Sequence, residues 1–171
     1  LFYLEQNQNT GVAHLCSISR IDRGSFVWMD RFTFRNLEIF GSTAGKDGVS
    51  LLDVMDKTSS PLGGRMLRNW LSMPLKDLDE INRRHSVVES FVDYTVAREE
   101  LQERLSQIGD LERIISRAAA GKIAPREIIQ LKRGLEQMEP IKEICTQLGG
   151  EAAQLAGGIR IFKDLYEFIG K

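Results

Sequence analysis

All four prolines lie beyond residue 60, and each sits at the edge of a stretch whose apolar residues recur every three or four positions. That spacing lays one apolar stripe along an α-helix, so most of the chain is committed to helices that must pack on one another. Ser59 or Ser60 can cap a helix that takes Pro61 in its first turn, where the missing N–H of proline costs nothing. Leu62, Met66, Leu67, Trp70 and Leu71 form its stripe, and Pro74 stops it. Asp77, with Glu80 three residues on, begins the next in the manner of a capping box, with Leu78, Ile81, His85, Val88, Phe91 and Val92 as its inward face. Thr95 can cap a third helix bearing Leu101, Leu105 and Ile108, which Gly109 breaks. Asp110 opens a fourth with Leu111, Ile114, Ile115 and Ala118 buried. Pro125 starts a fifth, carrying Ile128, Leu131, Leu135 and Met138, and Pro140 begins a sixth with Ile141, Ile144 and Leu148. Gly149-Gly150 and Gly157-Gly158 punctuate a last stretch that ends in Ile161, Phe162, Leu165, Phe168 and Ile169.

The first fifty residues differ. Leu15, Ser17 and Ser19 alternate with Cys16, Ile18 and Arg20, and after the turn-forming Asp22-Arg23-Gly24-Ser25 comes the β-rich run Phe26-Val27-Trp28-Met29. A short hairpin is predicted there, followed by a third extended segment over residues 32–40. Residues 41–48 hold three glycines and read as a surface loop. The expected fold class is mainly α, a multihelical bundle with a short N-terminal β-hairpin or extended lead-in. The expected division is a β-containing lead-in over 1–50 and a helical subdomain over 51–171 within one domain. No fixed-period repeat is present, which disfavours a solenoid.

Composition permits a folded domain: of 171 residues, 42% are hydrophobic and 27% charged, enough to bury roughly 70% of the surface the unfolded chain exposes. No apolar run approaches the roughly 20 residues that cross a bilayer. The start, Leu1-Phe2-Tyr3-Leu4-Glu5, has neither an initiator Met nor a basic signal-peptide region and reads as a piece of a longer chain. Cys16 and Cys145 are far apart in apolar contexts, which suits reduced thiols in a cytosolic protein. The net charge is −1, and no segment has a basic block. Weak DNA affinity is expected of the chain alone, unless folding gathers its arginines onto one face.

A search for chemistry returns little. Gly41-Ser42-Thr43-Ala44-Gly45-Lys46 resembles a phosphate loop but has three residues between the glycines instead of four, and Asp47 follows the lysine. His85 lies on an apolar stripe and reads as a core or boundary residue, and His14 has no metal-ligand partners at suitable spacing. Glu99-Glu100 and Asp77/Asp79/Glu80 read as solvated charge on helix faces rather than acid–base pairs. Trp28 and Trp70 sit in apolar patterns and are expected in the core, ahead of base stacking. Arg65 and Arg68, one helical turn apart, are the best candidates for DNA-backbone contacts, with salt bridges or domain contacts the stronger reading.

Four ordered blocks carry a family likeness. Asp30-Arg31-Phe32-Thr33-Phe34-Arg35-Asn36-Leu37-Glu38 resembles an Asp-x-x-Thr-x-Arg-Asn-Leu-Glu motif. The run from Leu51 to Leu75, with Pro61-Leu62-Gly63-Gly64-Arg65 and Trp70-Leu71, is similar to Leu-Asp-x-Thr-x-Thr-Pro-Met-Gly-x-Arg-x-Leu-x-x-Trp-Leu, with Ser60 and Leu62 as mild departures. Gly109-Asp110-Leu111-Glu112-Arg113-Ile114 and Pro125-Arg126-Glu127 follow at suitable distances. Together they resemble the core, or lever, domain of the MutS family of DNA mismatch-repair ATPases.

The resemblance implies a parent with mismatch-recognition, connector, core, clamp and ATPase domains, working as a homodimer on mismatched duplex DNA in the bacterial cytosol. It places ATP and magnesium in an ATPase domain outside this segment, which would itself hold no cofactor, metal or catalytic residue. The family's mismatch-reading Phe-x-Glu does not occur in this sequence. The implied role is mechanical: a rigid helical linkage between motor and grip. Its structural or coupling residues would be Asp30, Arg35, Asn36, Asp56, Arg65, Trp70, Asp110 and Arg113, with the Leu62/Met66/Trp70 face as hinge core. Three readings compete with it: a stand-alone helical protein-interaction module, the core of the anti-recombination paralogue within the same family, and a small nucleotide-dependent enzyme resting on Gly41–Lys46.

Overall fold

A computed structural model of the chain describes residues 23–45 and 47–169. Five of the ten α-helices among the described residues start where a short polar side chain accepts a free backbone N–H group. Ser60 accepts from Gly63 N–H at 3.2 Å, with Pro61 as the first helical residue, and opens α3 (Pro61–Ser72). Asp77 accepts from Glu80 N–H at 2.9 Å and opens α4 (Leu78–Asp93). Asp110 accepts from Arg113 N–H at the head of α6 (Leu111–Ala119). Pro125 leads α7 (Pro125–Glu136), where the Glu127 carboxylate turns back to accept Ala124 N–H at 2.9 Å.

Two starts differ from expectation. Thr95 is the first residue of α5 (Thr95–Ser106) and not its cap; Tyr94 closes α4 and opens α5, so the two helices follow with a single residue between them. Pro140 lies inside the first turn of α8 (Met138–Leu148), where its absent N–H would have had no intrahelical partner. Gly149, at φ 76°, breaks the chain between α8 and α9 (Gly150–Gly157), a left-handed conformation that glycine adopts without steric cost. The last element is α10 (Lys163–Ile169).

The lead-in region also contains helix. Asp30 accepts Thr33 N–H at 2.7 Å and starts α1 (Arg31–Asn36), in place of the extended segment expected over 32–40. The alternation of Phe32 and Phe34 is overridden by this local cap, and Phe32 is left in solvent. Ser50 and Asp53 form a reciprocal capping box on α2 (Leu51–Met55). The N–H groups of Leu51 and Leu52 bond to the carbonyls of Glu38 and Ile39, and Ile39 and Leu52 are buried there. No strand ladder occurs among the described residues. Phe26 forms an isolated antiparallel bridge with Leu75, with Val27 N–H donating to Pro74 at 2.7 Å. The proposed first arm of the hairpin, residues 15–20, lies outside the described residues.

The bundle is built from α4 to α10. α8 and α9 are its most intimate pair; α10 lies on α7, α5 on α8, α9 on α4, and α6 on α7. Ala152 and Ala156, both buried, let α9 approach α8 closely, and Ile108, Ile114, Leu135, Ile141 and Ile144 supply the rest of the buried apolar core. Gly134 on α7 is a contact point with α6: a Cβ there would stand 2.9 Å from Leu111 Cδ2. On α4 the helical period is as expected, but the face is rotated. Ile81, Arg84, Val87 and Phe91 turn inward, whereas Leu78, His85, Val88 and Val92 are exposed.

Candidate functional site

The residues singled out from sequence converge on α3 and its attachments. Asp56 ends α2 and accepts the N–H of Thr58 at 3.1 Å and its hydroxyl at 2.6 Å. These hydrogen bonds, the hydroxyl first, hold the Asp56 carboxyl below its ordinary pKa. The resulting turn lies against the first turn of α3. A Cβ on Gly63 would stand 3.3 Å from Thr58 Cβ, and one on Gly64 3.3 Å from Thr58 Oγ1. Glycine at both positions lets the turn seat on the helix, which gives the Gly63-Gly64 pair a packing reason.

From the next position Arg65 reaches the head of α6. Nη1 and Nη2 donate to the two Asp110 oxygens at 2.8 and 2.7 Å, and Nε donates to Glu112 at 2.9 Å. This is the forked geometry that a guanidinium makes with a carboxylate and a lysine cannot. Asp110 therefore has two tasks, capping α6 and holding Arg65. The Arg65 fork, and then the Arg113 N–H, draw its pKa down to about 2, while the same contact raises that of Arg65. Glu112 was not anticipated; its place one residue into the α6 turn beyond Leu111 becomes meaningful only once Arg65 is seen to arrive there.

The other ties of α3 involve rings. Arg68 lies over the Phe40 ring at 5.2 Å, and Phe40 stacks on Phe34 at 5.5 Å, which joins α3 to α1 and its following loop. Arg84 of α4 covers the Trp70 ring at 3.9 Å. Trp70 is therefore not a core residue: it is 41% exposed, Met66 is 55% exposed, and Trp28 is exposed as well. The expected hinge core of Leu62, Met66 and Trp70 is replaced by a helix with an open apolar side. α3 packs against no bundle helix as extensively as those helices pack on one another. Its attachment rests on guanidinium contacts, which the Leu62–Leu71 stripe did not signal.

The remaining candidates are dispersed. Asp30 caps α1, and Arg35 and Asn36 sit exposed at its end. Arg113 gives its N–H to Asp110, and its side chain lines a shallow concavity with Ser116, Arg117, Ala120 and Lys122. Glu127, which was not singled out as a site residue, is buried; it accepts from Ala124 and pairs with Arg117 Nε at 3.1 Å, while Arg117 also donates to the Lys122 carbonyl. His85 is exposed, not a core residue. Cys145 is a free, half-buried thiol whose pKa burial raises. No group of three or more metal-ligating side chains occurs among the described residues.

The glycine loop after α1 is closed on an acid. Glu38, at φ 49°, accepts the N–H of Thr43 at 2.6 Å together with its hydroxyl and, more distantly, that of Ser42. These contacts, led by the Thr43 hydroxyl, hold the Glu38 carboxyl below its ordinary pKa. Donors that would have to face a phosphate are turned to a carboxylate, which would repel one.

Residues 32–169 match the profile of MutS domain III. Over 157 residues the chain is 48% identical to the DNA mismatch repair protein MutS of Flavobacterium psychrophilum, covering 92% of this chain and 18% of that protein. It is 50% identical over 149 residues to the MutS of Parabacteroides distasonis, covering 87% and 17%. With the MutS of Phocaeicola vulgatus the identity is 48% over 172 residues, covering 100% of this chain and 20% of the relative. The chain thus spans about a fifth of the length of these relatives, and it belongs to the MutS domain III family.

Proposed function

We propose that this chain is the helical lever of a DNA mismatch-repair ATPase, and that it carries motion between an ATP-hydrolysing domain and the domains that grip mismatched duplex DNA. In this reading it has no catalytic residue. ATP and magnesium bind in another part of the same cytoplasmic, homodimeric protein, and the connector, clamp and ATPase domains are the neighbours of the lever. The relatives are DNA mismatch repair proteins, which supports the setting, and the turn of the Ser42 and Thr43 donors onto Glu38 supports placing nucleotide chemistry elsewhere.

The observation that carries the lever reading is the attachment of α3. A helix seated by one forked guanidinium and two cation–ring contacts can leave and rejoin its seat without opening a packed apolar core. Such an element has discrete arrangements, which is what transmission of a domain rotation requires. α4, of 16 residues, would carry a displacement over about 24 Å.

The test is Arg65→Gln in the full-length polypeptide. Mismatch binding without nucleotide should change less than about twofold, whereas the effect of ATP on DNA release should shift by about 5- to 150-fold, the range of an ordinary coupling free energy. ATP-driven release that is indistinguishable from the unsubstituted protein would remove α3 from the linkage.

A further inference from the structure

The chain as a whole carries a net charge of −1, yet residues 113–133 hold six basic residues against one acidic. These cations are spread along the sequence, and the turn between α6 and α7 gathers three of them. Arg113 and Arg117, four residues apart, share one face of α6. Gly121, at φ 66°, then reverses the chain. Lys122 N–H donates to the Arg117 carbonyl at 2.8 Å, and Arg117 Nη2 donates to the Lys122 carbonyl at 2.9 Å. Arg113, Ser116, Arg117, Ala120 and Lys122 thereby line an open concavity of about 400 Å³.

The acids around it are engaged. Glu127, the one acidic residue of the stretch, is buried and paired with Arg117, while Asp110 and Glu112 are held by Arg65. The last turn of α6 is satisfied as well: the carbonyls of Ser116, Arg117 and Ala118 accept from Ala120, Lys122 and Gly121. Arg113 and Lys122 are exposed and enter no ion pair among the described residues, and neither does Arg126, exposed in the first turn of α7. The concavity therefore presents positive charge that the fold leaves unneutralised. Ala120 is its only apolar lining residue, and no aromatic ring lines it. A protein partner binds chiefly through buried aromatic or aliphatic anchors, for which this surface has no seat. A nucleic-acid backbone needs only cations set against its phosphates.

We infer that the α6–α7 turn is a phosphate-contact site for the backbone of duplex DNA. Arg113 and Lys122 meet the phosphates, and Arg117, tied to Glu127 and to the Lys122 carbonyl, is the positioning residue that holds Lys122 beside Arg113. Such contacts orient a duplex without reading its sequence. Two phosphate contacts hold DNA weakly, so the site steers a duplex that other parts of the longer polypeptide grip. The choice of DNA rests on the mismatch-repair setting proposed above. The site does not need α3 to move, so it can fail while the lever reading stands.

Two measurements test it. First, the ¹⁵N-labelled chain is titrated with a duplex of about 20 base pairs. The amides of residues 113–122 should shift, and raising salt from about 20 to about 80 mM should weaken binding about twelvefold, the value for two phosphate contacts. Arg113→Gln with Lys122→Gln should abolish the shifts in this segment, and the unchanged remaining amides would show the fold intact. Arg31→Gln with Arg35→Gln removes the same charge from α1 and should leave the titration as it was. No shift in residues 113–122, or equal losses from the two double variants, overturns the site. A glutamate peptide of the same net charge that binds as tightly as the duplex overturns the assignment to phosphate. Secondly, a photo-crosslinking residue at Ala120 of the full-length polypeptide, bound to mismatched duplex, should join to a DNA strand. A crosslink to protein alone, or none, overturns DNA as the occupant.

Discussion

Ile114 and Ile115 are adjacent in α6 and identical in chemistry, yet they occupy opposite environments. Ile114 is 1% exposed and lies beneath the Asp110 turn, near Gly109, whereas Ile115 is 56% exposed. Ile114→Ala removes three carbons from a closed interior. At about 0.8 kcal/mol per buried carbon the transfer loss is about 2.4 kcal/mol, and the residual cavity raises it to about 3–4 kcal/mol. Ile115→Ala leaves no closed cavity, loses under half as much burial and gains helix propensity, so its cost should stay under about 1 kcal/mol. Urea unfolding followed by far-UV circular dichroism would read the difference as a lower midpoint at unchanged slope. Thermal melts should separate the two variants by about 5–12 °C, since about 1 kcal/mol moves a domain of this size by about 2–4 °C. Because Asp110 and Glu112 are carried by the turn that Ile114 supports, its truncation should also loosen the Arg65 contact. Equal losses for the two variants, or a larger one at Ile115, would refute the assigned orientation of α6.

Further outcomes follow from the same geometry. The Asp110 carboxyl, held near 2 by Arg65, contributes stability that is complete above its unfolded value of about 4 and is lost as pH falls from there toward 2. Arg65→Gln should remove that contribution, lowering stability at pH 5–8 and flattening the acid limb between about 4 and 2, so that the two proteins converge at the acid end of a pH series of urea melts. Trp70→Ala should cost about 2–3 kcal/mol, below the upper end of the 3–5 kcal/mol of a fully buried tryptophan, because the residue is 41% exposed and loses the Arg84 contact with its ring; an unchanged melting temperature would contradict this. Ser60→Ala should cost about 1 kcal/mol by freeing Gly63 N–H, with Ser60→Asp restoring most of it in the same melt. Glu127→Ala should cost about 1–3 kcal/mol by leaving Ala124 N–H and Arg117 without their shared acceptor, and hydrogen exchange at Ala124 should accelerate.

Much of the helical architecture was legible in the sequence because it is local. Ser60 with Pro61, Asp77 with Glu80, and Asp110 with Arg113 act within a single turn, so residue type and spacing are enough to announce them. α1 was hidden for a related reason: Asp30 to Thr33 is a capping signal, but the alternation of Phe32 and Phe34 imitates a strand. Which face of a helix turns inward is a different kind of fact. The period of α4 is written in its sequence, yet Leu78, Val88 and Val92 face outward while Ile81, Val87 and Phe91 turn toward the bundle, and the same rotation brings Arg83 to Glu151 on α9 and Arg84 to Trp70. Neither Ile114 nor Ile115 carries any local mark of its fate. The Arg65 fork joins residues 45 and 47 positions apart, and its partners are set by where α3 and α6 come to rest. Secondary structure follows from neighbours along the chain, whereas burial and ion pairing depend on neighbours in space, which only the packed bundle brings together.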